Sequence, residues 1–186
     1  MIFDLHVHSI YSHDCNTSIP QIINKAEEIK LDGISITDHD TLRGYEEAKK
    51  VSKNVIVIPG IEISLKEGHL LVLGIEEEPP RVEIMDVLEW VRDNNGVSIA
   101  AHPFDSYKGL GDLVSTLPLD GIEVYNAKYK FSHVNIRADK ISRKLNLSRI
   151  GGSDAHNLEE IGSGFTIIDG PLIKAIKKKR TEVGLR

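Results

Sequence analysis

The sequence predicts an α/β barrel, on three observations. Short apolar runs alternate with stretches of helical period, the pattern of a parallel sheet with helical crossovers. Polar residues follow almost every apolar run. Histidines concentrate at those ends, and in a parallel barrel the C-terminal strand ends meet on one rim.

The elements follow in order. Residues 2–7 alternate as a first strand, and residues 9–18 form a polar loop. Pro20 opens a helix in which Ile22, Ala26 and Ile29 share a face, with Gly33 beyond its end. Residues 33–36 are a second strand, and Thr41 is the expected N-cap of a helix through Glu46 to Val51. Residues 55–58 are a third strand, interrupted by Pro59-Gly60 and resumed at Ile61. Lys66-Glu67-Gly68 reads as a turn into a fourth strand over 69–74, closing a hairpin. Pro79-Pro80 opens a helix with Ile84, Val87, Leu88 and Val91 on one face, ended by Asn94-Asn95-Gly96.

Residues 97–101 are a fifth strand leading into His102-Pro103. A polar, irregular segment follows, and residues 104–117 are expected to act as a lid hinged at Gly109 and Gly111. Residues 121–125 are a sixth strand ending at Asn126. Val134, Ala138, Ile141 and Leu145 mark a helix, and residues 149–152 a seventh strand. Residues 165–168 form one more, and a basic helix carrying Ile173 and Ile176 closes the chain.

The 186 residues suit one domain over 1–186, with a full core. A net charge of −5 supplies no global basic field, which argues against a nucleic-acid polymer as partner. The only charge run, Lys177 to Arg180, reads as a solvated helix end. Cys15 is the single cysteine, which excludes an intramolecular disulfide and suits a reducing cytoplasm. No apolar run approaches bilayer-spanning length.

His6 and His8 fall two apart at a strand end, so their imidazoles share a face. Such a pair is poor core material but a good transition-metal ligand. Further donors at strand ends or in the adjoining loops are Asp14, His39, Glu62, His69, His102, Asp154 and His156. Nine donors exceed what one ion of four to six coordination accepts, so two or three divalent ions are expected. With no cysteine in the set, Zn, Mn or Fe are the candidates.

Five motifs then resemble those of the PHP (polymerase and histidinol phosphatase) family, in that family's order. They are Asp4-Leu5-His6-Val7-His8-Ser9, Thr37-Asp38-His39, Pro59-Gly60-Ile61-Glu62, Ala101-His102-Pro103 and Gly152-Ser153-Asp154-Ala155-His156. The resemblance implies a distorted seven-stranded (β/α) barrel and a metal cluster that hydrolyses phosphate esters. It also implies ligand sets: His6, His8, Glu62 and Asp154 for a first ion, Glu62 and His102 for a second, and Asp14, His39 and His156 for a third. His13 rivals Asp14, and His69 joins the second set if its hairpin returns it beside Glu62. Asp38 and Asp4 are expected to orient imidazoles. Cys15 and His133 are taken as bystanders.

The catalytic candidates are Glu62, as the bridging carboxylate, with His102 and His156 as proton donors beside His69. Arg43, Lys108, Asn126 and Lys128 are candidates for a phosphate clamp. The expected activity is a phosphomonoesterase or phosphodiesterase acting on a small metabolite or nucleotide. The alternatives are a nuclease or repair phosphodiesterase, a barrel-shaped scaffold for RNA or protein, and an amidohydrolase. The short chain and the Glu62 motif disfavour the last.

Overall fold

The structure is a computed structural model and describes residues 1–80, 82–130 and 132–186. It contains nine strands and five α-helices among the described residues. In order they are β1 (Ile2–Val7), α1 (Ile19–Glu28), β2 (Gly33–Ile36), α2 (Arg43–Val51), β3 (Ile56–Leu65), β4 (Gly68–Leu73), α3 (Ile84–Asp93), β5 (Val97–Ala100), β6 (Gly121–Asn126), α4 (His133–Leu145), β7 (Ser148–Gly152), β8 (Gly164–Ile168), α5 (Leu172–Lys177) and β9 (Thr181–Leu185). Short 3₁₀ turns cover Gly111–Ser115 and Ala127–Tyr129.

The strands form one sheet in the order β7-β6-β5-β4-β3-β2-β1-β8-β9. The sheet nearly closes. Past the end of β7, Ala155 bridges Val7 in parallel. The Asp154 amide donates to the His6 carbonyl at 2.8 Å, and the His8 amide to the Ala155 carbonyl at 2.9 Å. Strands β1 to β7 therefore make a distorted seven-stranded barrel, and β8 and β9 continue from the other edge of β1.

The sheet is mixed rather than parallel throughout. β3–β4 and β4–β5 are antiparallel, and so are the β1–β8 and β8–β9 pairings. The turn at Lys66-Glu67 is too short for a crossover, so β4 must return antiparallel. β3 runs unbroken through Pro59-Gly60, against the expected interruption. It changes neighbour there: Ile56 to Pro59 pair with β2, and Gly60 onward with β4.

The ends of α2 and the chain terminus also differ from expectation. Leu42 is the N-cap of α2, and the Thr41 hydroxyl accepts from the Arg43 amide instead. α2 packs closely because Gly44 has no side chain: a Cβ there would lie 2.0 Å from an Asp38 oxygen. The chain closes on β9 rather than on the basic helix. Only Val183 and Leu185 mark this strand, too few for a periodic signal, and Val183 sits over Gly151.

Leu5, Leu71, Ile99 and Ile150 come from four different strands and pack together with Leu172, Ala175 and Ile176 of α5. Two further apolar clusters lie under the helices, one around α1 and α2, the other around α3 and α4. No described helix is long and apolar enough to cross a membrane.

Candidate metal centre

The barrel gathers all nine expected donors. His8 lies one residue past β1, His39 three past β2, and His102 and Asp154 each two past β5 and β7. His39 extends the β2–β3 ladder by a parallel bridge to Glu62. In the β3–β4 hairpin, Ser64 pairs with His69, which returns His69 to Glu62.

Glu62 is 1% exposed, and five imidazoles converge on it. His69 Nδ1 and His102 Nε2 approach its Oε1 at 2.9 and 3.0 Å. His39 Nδ1, His8 Nε2 and His6 Nε2 approach its Oε2 at 3.2, 3.3 and 3.4 Å. Asp154 Oδ1 stands 3.3 Å from His8 Nε2 and 3.6 Å from His6 Nε2. Asp14 Oδ2 joins His156 Nε2 at 3.2 Å and His39 Nε2 at 3.5 Å.

The donor atoms fall into four overlapping groups: His8, Asp14, His39 and His156; His6, His102 and Asp154; His6, His8 and Glu62; and His39, Glu62 and His69. His8 thus belongs with the Asp14 group as well as with Glu62. His13 stacks on His39 with ring centroids 5.2 Å apart but joins none of these groups. Divalent cations fit this set. Both ring nitrogens of His39, Nε2 of His156 and Nδ1 of His102 are buried with no hydrogen-bond partner. Buried polar nitrogens without partners are costly in a stable fold, and several facing the same carboxylates point to a shared cation.

Second contacts orient these groups. Asp38 accepts from the Ser9 amide and hydroxyl, both at 2.6 Å, and from the Ser12 hydroxyl at 2.9 Å. Ser12 Oγ in turn lies 2.9 Å from His8 Nδ1, so Asp38 orients an imidazole through a hydroxyl. Asp4 does not touch an imidazole. It accepts from the Ser153 and Gly162 amides and pins the β7 loop to β1. Burial, only partly offset by these donors, raises Asp4 to about 6. His102 and Asp154 hold left-handed backbone, at φ 27° and 55°, a strain of about 1–3 kcal/mol each that the surrounding ladder sustains.

Sequence reasoning missed Glu123, which is fully buried on β6. Its Oε1 lies 2.9 Å from His6 Nδ1, and its Oε2 accepts from the His102 amide at 2.8 Å. The available signal was a carboxylate alternating with Ile122 and Val124 in an apolar strand, where a buried charge needs a partner.

A cavity of about 210 Å³ opens over the cluster, lined by His39, Glu62, His102, Asp154 and His156 with Lys108, Lys128 and Tyr129. Lys128 Nζ stands 3.1 Å from His156 Nδ1 and 3.6 Å from Asp154 Oδ1. The other two clamp candidates lie elsewhere. Asn126 is buried, and its amide donates to Glu123 and Asp154. Arg43 lies over the Tyr11 ring, 4.6 Å from its centroid, outside the cavity lining. The segment expected as a lid carries hydrogen bonds of its own and one to β4. Asp105 accepts from the Tyr107 and Lys108 amides, the Lys108 carbonyl accepts from the His69 amide at 2.8 Å, and Gly109 packs against Pro103.

Electrostatics divide the imidazoles. Burial lowers His6, but Glu123, Asp154 and Glu62 outweigh it and hold His6 well above 6.5. Burial likewise opposes, and carboxylates reverse, the shifts of His8 and His102, which both end raised. Burial prevails at His39, pulled down to about 4, and at His156, where His8 adds repulsion. Glu62 and Asp154 resist burial through their imidazole contacts and stay below the ordinary carboxylate range.

These shifts set a pH optimum. The raised histidines contribute stability that is complete below pH 6.5 and lost as pH rises through their folded values. The lowered ones remove stability as pH falls below 6.5. The metal-free chain is therefore expected to melt highest near pH 6.5. Added Mn or Zn is expected to flatten the alkaline limb, because ions and protons compete for the same nitrogens. Thermal melts across pH with chelator and with metal check this, and a chelated Tm that kept climbing to pH 9 would contradict it.

Comparison with known proteins agrees with this geometry. The PHP domain sequence profile matches residues 4–140, and the PHP-associated profile matches residues 132–181. An uncharacterized protein of Methanocaldococcus jannaschii is 34% identical over 157 residues, covering 76% of this chain and 92% of its own. The phosphoribosyl 1,2-cyclic phosphate 1,2-diphosphodiesterase of Eggerthella lenta is 35% identical over 88 residues, covering 43% of this chain and 33% of that one. Among solved structures, a two-domain Bacteroides vulgatus protein containing a PHP-like domain superposes with a TM-score of 0.82 at 19% identity. That match covers 100% of this chain and 64% of the other.

Proposed function

This chain belongs to the PHP domain family, and on that premise we propose that it is a metal-dependent hydrolase of phosphate esters, acting on a small phosphorylated metabolite or nucleotide. One observation carries the reading: a buried carboxylate, Glu62, ringed by five imidazoles beneath a cavity that two lysines line. His6, His8, Glu62 and Asp154 would hold one ion, Glu62, His69 and His102 a second, and Asp14, His39 and His156 a third. Bound Zn, Mn or Fe supplies an acidified water and neutralises phosphoryl oxygens.

The chain's own groups do the rest. Lys128 places its ammonium on the cavity wall, and Lys108 lines the same wall, where the two would bind phosphoryl oxygens and compensate the charge that builds in the transition state. Tyr129 donates to Asp105 at 2.8 Å and keeps its phenol neutral on the same wall. His102 is assigned the leaving-group proton, since its Nδ1 has no hydrogen-bond partner while Nε2 faces Glu62, whereas the unpartnered Nε2 of His156 faces Asp14 and goes with the third ion. A cavity of about 210 Å³ is below the roughly 300–1,000 Å³ of enclosing ligand sites, so it would receive the phosphoryl group and leave the rest of the substrate at the mouth.

The nuclease reading has less support. Lys178 and Arg180, its cationic basis, line a separate hollow that shares no residue with the cavity. A scaffold without catalysis would have no use for nine converging donors. Purified protein screened against phosphomonoesters and phosphodiesters with Mn, Zn or Fe is expected to turn over only with metal. Absence of turnover on every ester, with ions demonstrably bound, would remove the proposal.

A further inference from the structure

Glu123 holds together residues from three strands that are distant in sequence. Its Oε1 meets His6 Nδ1 on β1 at 2.9 Å. Its Oε2 accepts from the backbone of His102, just past β5, at 2.8 Å, where the chain sits at φ 27°. The same oxygen accepts from Asn126 Nδ2 at 3.0 Å, and Asn126 passes the contact on, donating to Asp154 Oδ2 at 3.1 Å. His6, His102 and Asp154 are one of the four donor groups of the cluster. No contact of Glu123 reaches Asp14, His39 or His156.

Each contact has a consequence for a ligand. A carboxylate at Nδ1 keeps the His6 proton there and leaves Nε2 as the lone-pair donor toward the cluster. The amide contact compensates the left-handed backbone that aims His102 inward. Asn126 occupies Oδ2 of Asp154, so Oδ1 is the oxygen turned to His6 and His8.

We propose that Glu123 is a positioning residue that assembles the two ion positions sharing Glu62, the one held by His6, His8, Glu62 and Asp154 and the one held by Glu62, His69 and His102, and leaves the position held by Asp14, His39 and His156 to form independently. This rests on the reading of the cluster as a metal centre. The third position is then separately loadable, and Glu123 sets the affinity of the other two.

The test is Mn2+ and Zn2+ titration of the wild-type chain and of Glu123→Gln and Glu123→Ala, with bound ions counted by elemental analysis. Gln can keep an acceptor for the His102 amide and Asn126 but then presents a donor to His6 Nδ1, so it is expected to retain part of the affinity that Ala loses. The expected result is a loss of about 10- to 100-fold at the positions that share Glu62, with the Asp14, His39 and His156 position within about threefold. Equal weakening of all positions, the mark of general unfolding, would overturn the proposal, and so would no weakening at all. Failure of the wild-type chain to bind any ion would instead remove the metal-centre reading itself. Should the variants not fold, imidazole ¹⁵N spectra of the zinc-loaded wild-type chain decide the matter. His6 is expected to carry its proton on Nδ1, and a proton on Nε2 would overturn the assignment.

Discussion

Glu62→Ala is expected to abolish metal-dependent turnover, by about a thousandfold or more, equivalent to roughly 4 kcal/mol of barrier. The carboxylate is the one group that contacts His6, His8, His39, His69 and His102 together. Removing it leaves five imidazoles converging on a void and takes from His69 and His102 the carboxylate that pairs them. Elemental analysis of the variant is expected to show the loss of more than one ion, because both oxygens of the carboxylate face donors of different groups. Glu62→Gln separates charge from shape: it keeps the volume and an acceptor, and is expected to lose nearly as much. A variant that kept full turnover would refute the bridging role.

Chelation is expected to produce the largest change in stability. The cluster places at least nine titratable side chains against one another, and a cation satisfies in one step what protons satisfy only in part. An ion present at a thousand times its dissociation constant adds about 4 kcal/mol to the folded state. For a chain of this size that corresponds to a rise in Tm of roughly 8–16 °C. Melts with and without a chelator, followed by restoration with Mn or Zn, measure it. A Tm indifferent to both treatments would show that the donors do not hold an ion. The same pair of samples separates structural from catalytic loading, since turnover should return in step with Tm only if the ions that stabilise are those that act.

The donors were legible in the sequence because strand ends are. β1 and β2 fall on the predicted residues, and two-residue periodicity places His6 and His8 on a common face. The hairpin that returns His69 to Glu62 was legible for a similar reason: a short turn with glycine sets its register. What remained hidden are residues whose role depends on contacts across the barrel. Glu123 belongs to a strand that reads as ordinary core apart from its charge, and its partners are 21 and 117 residues away. Asn126 reads as a clamp residue at a strand end, but it is buried with its amide donated to Glu123 and Asp154. Arg43 follows a site motif in sequence yet finds an aromatic ring nearby. Glycines in the segment after His102 suggest movement, and the Asp105 carboxylate that ties the Tyr107 and Lys108 amides within that loop is not signalled by them. In each case a local rule was overridden by a partner that the sequence does not place.

The junction of β7 with β1 also orders the assembly of the molecule. Glu62 and His69 are seven residues apart and meet as soon as their hairpin forms, a local event with little loop to close. The amide of Asp154 reaches the carbonyl of His6 across most of the chain, so this contact carries a much larger chain-entropy cost and is expected to form late. One part of the cluster is therefore available early on the folding path, while the part shared by β1 and β7 exists only once the two ends of the barrel have met. A cation held by His6 and Asp154 would act as a clasp on the finished ring, selecting the closed chain over open intermediates.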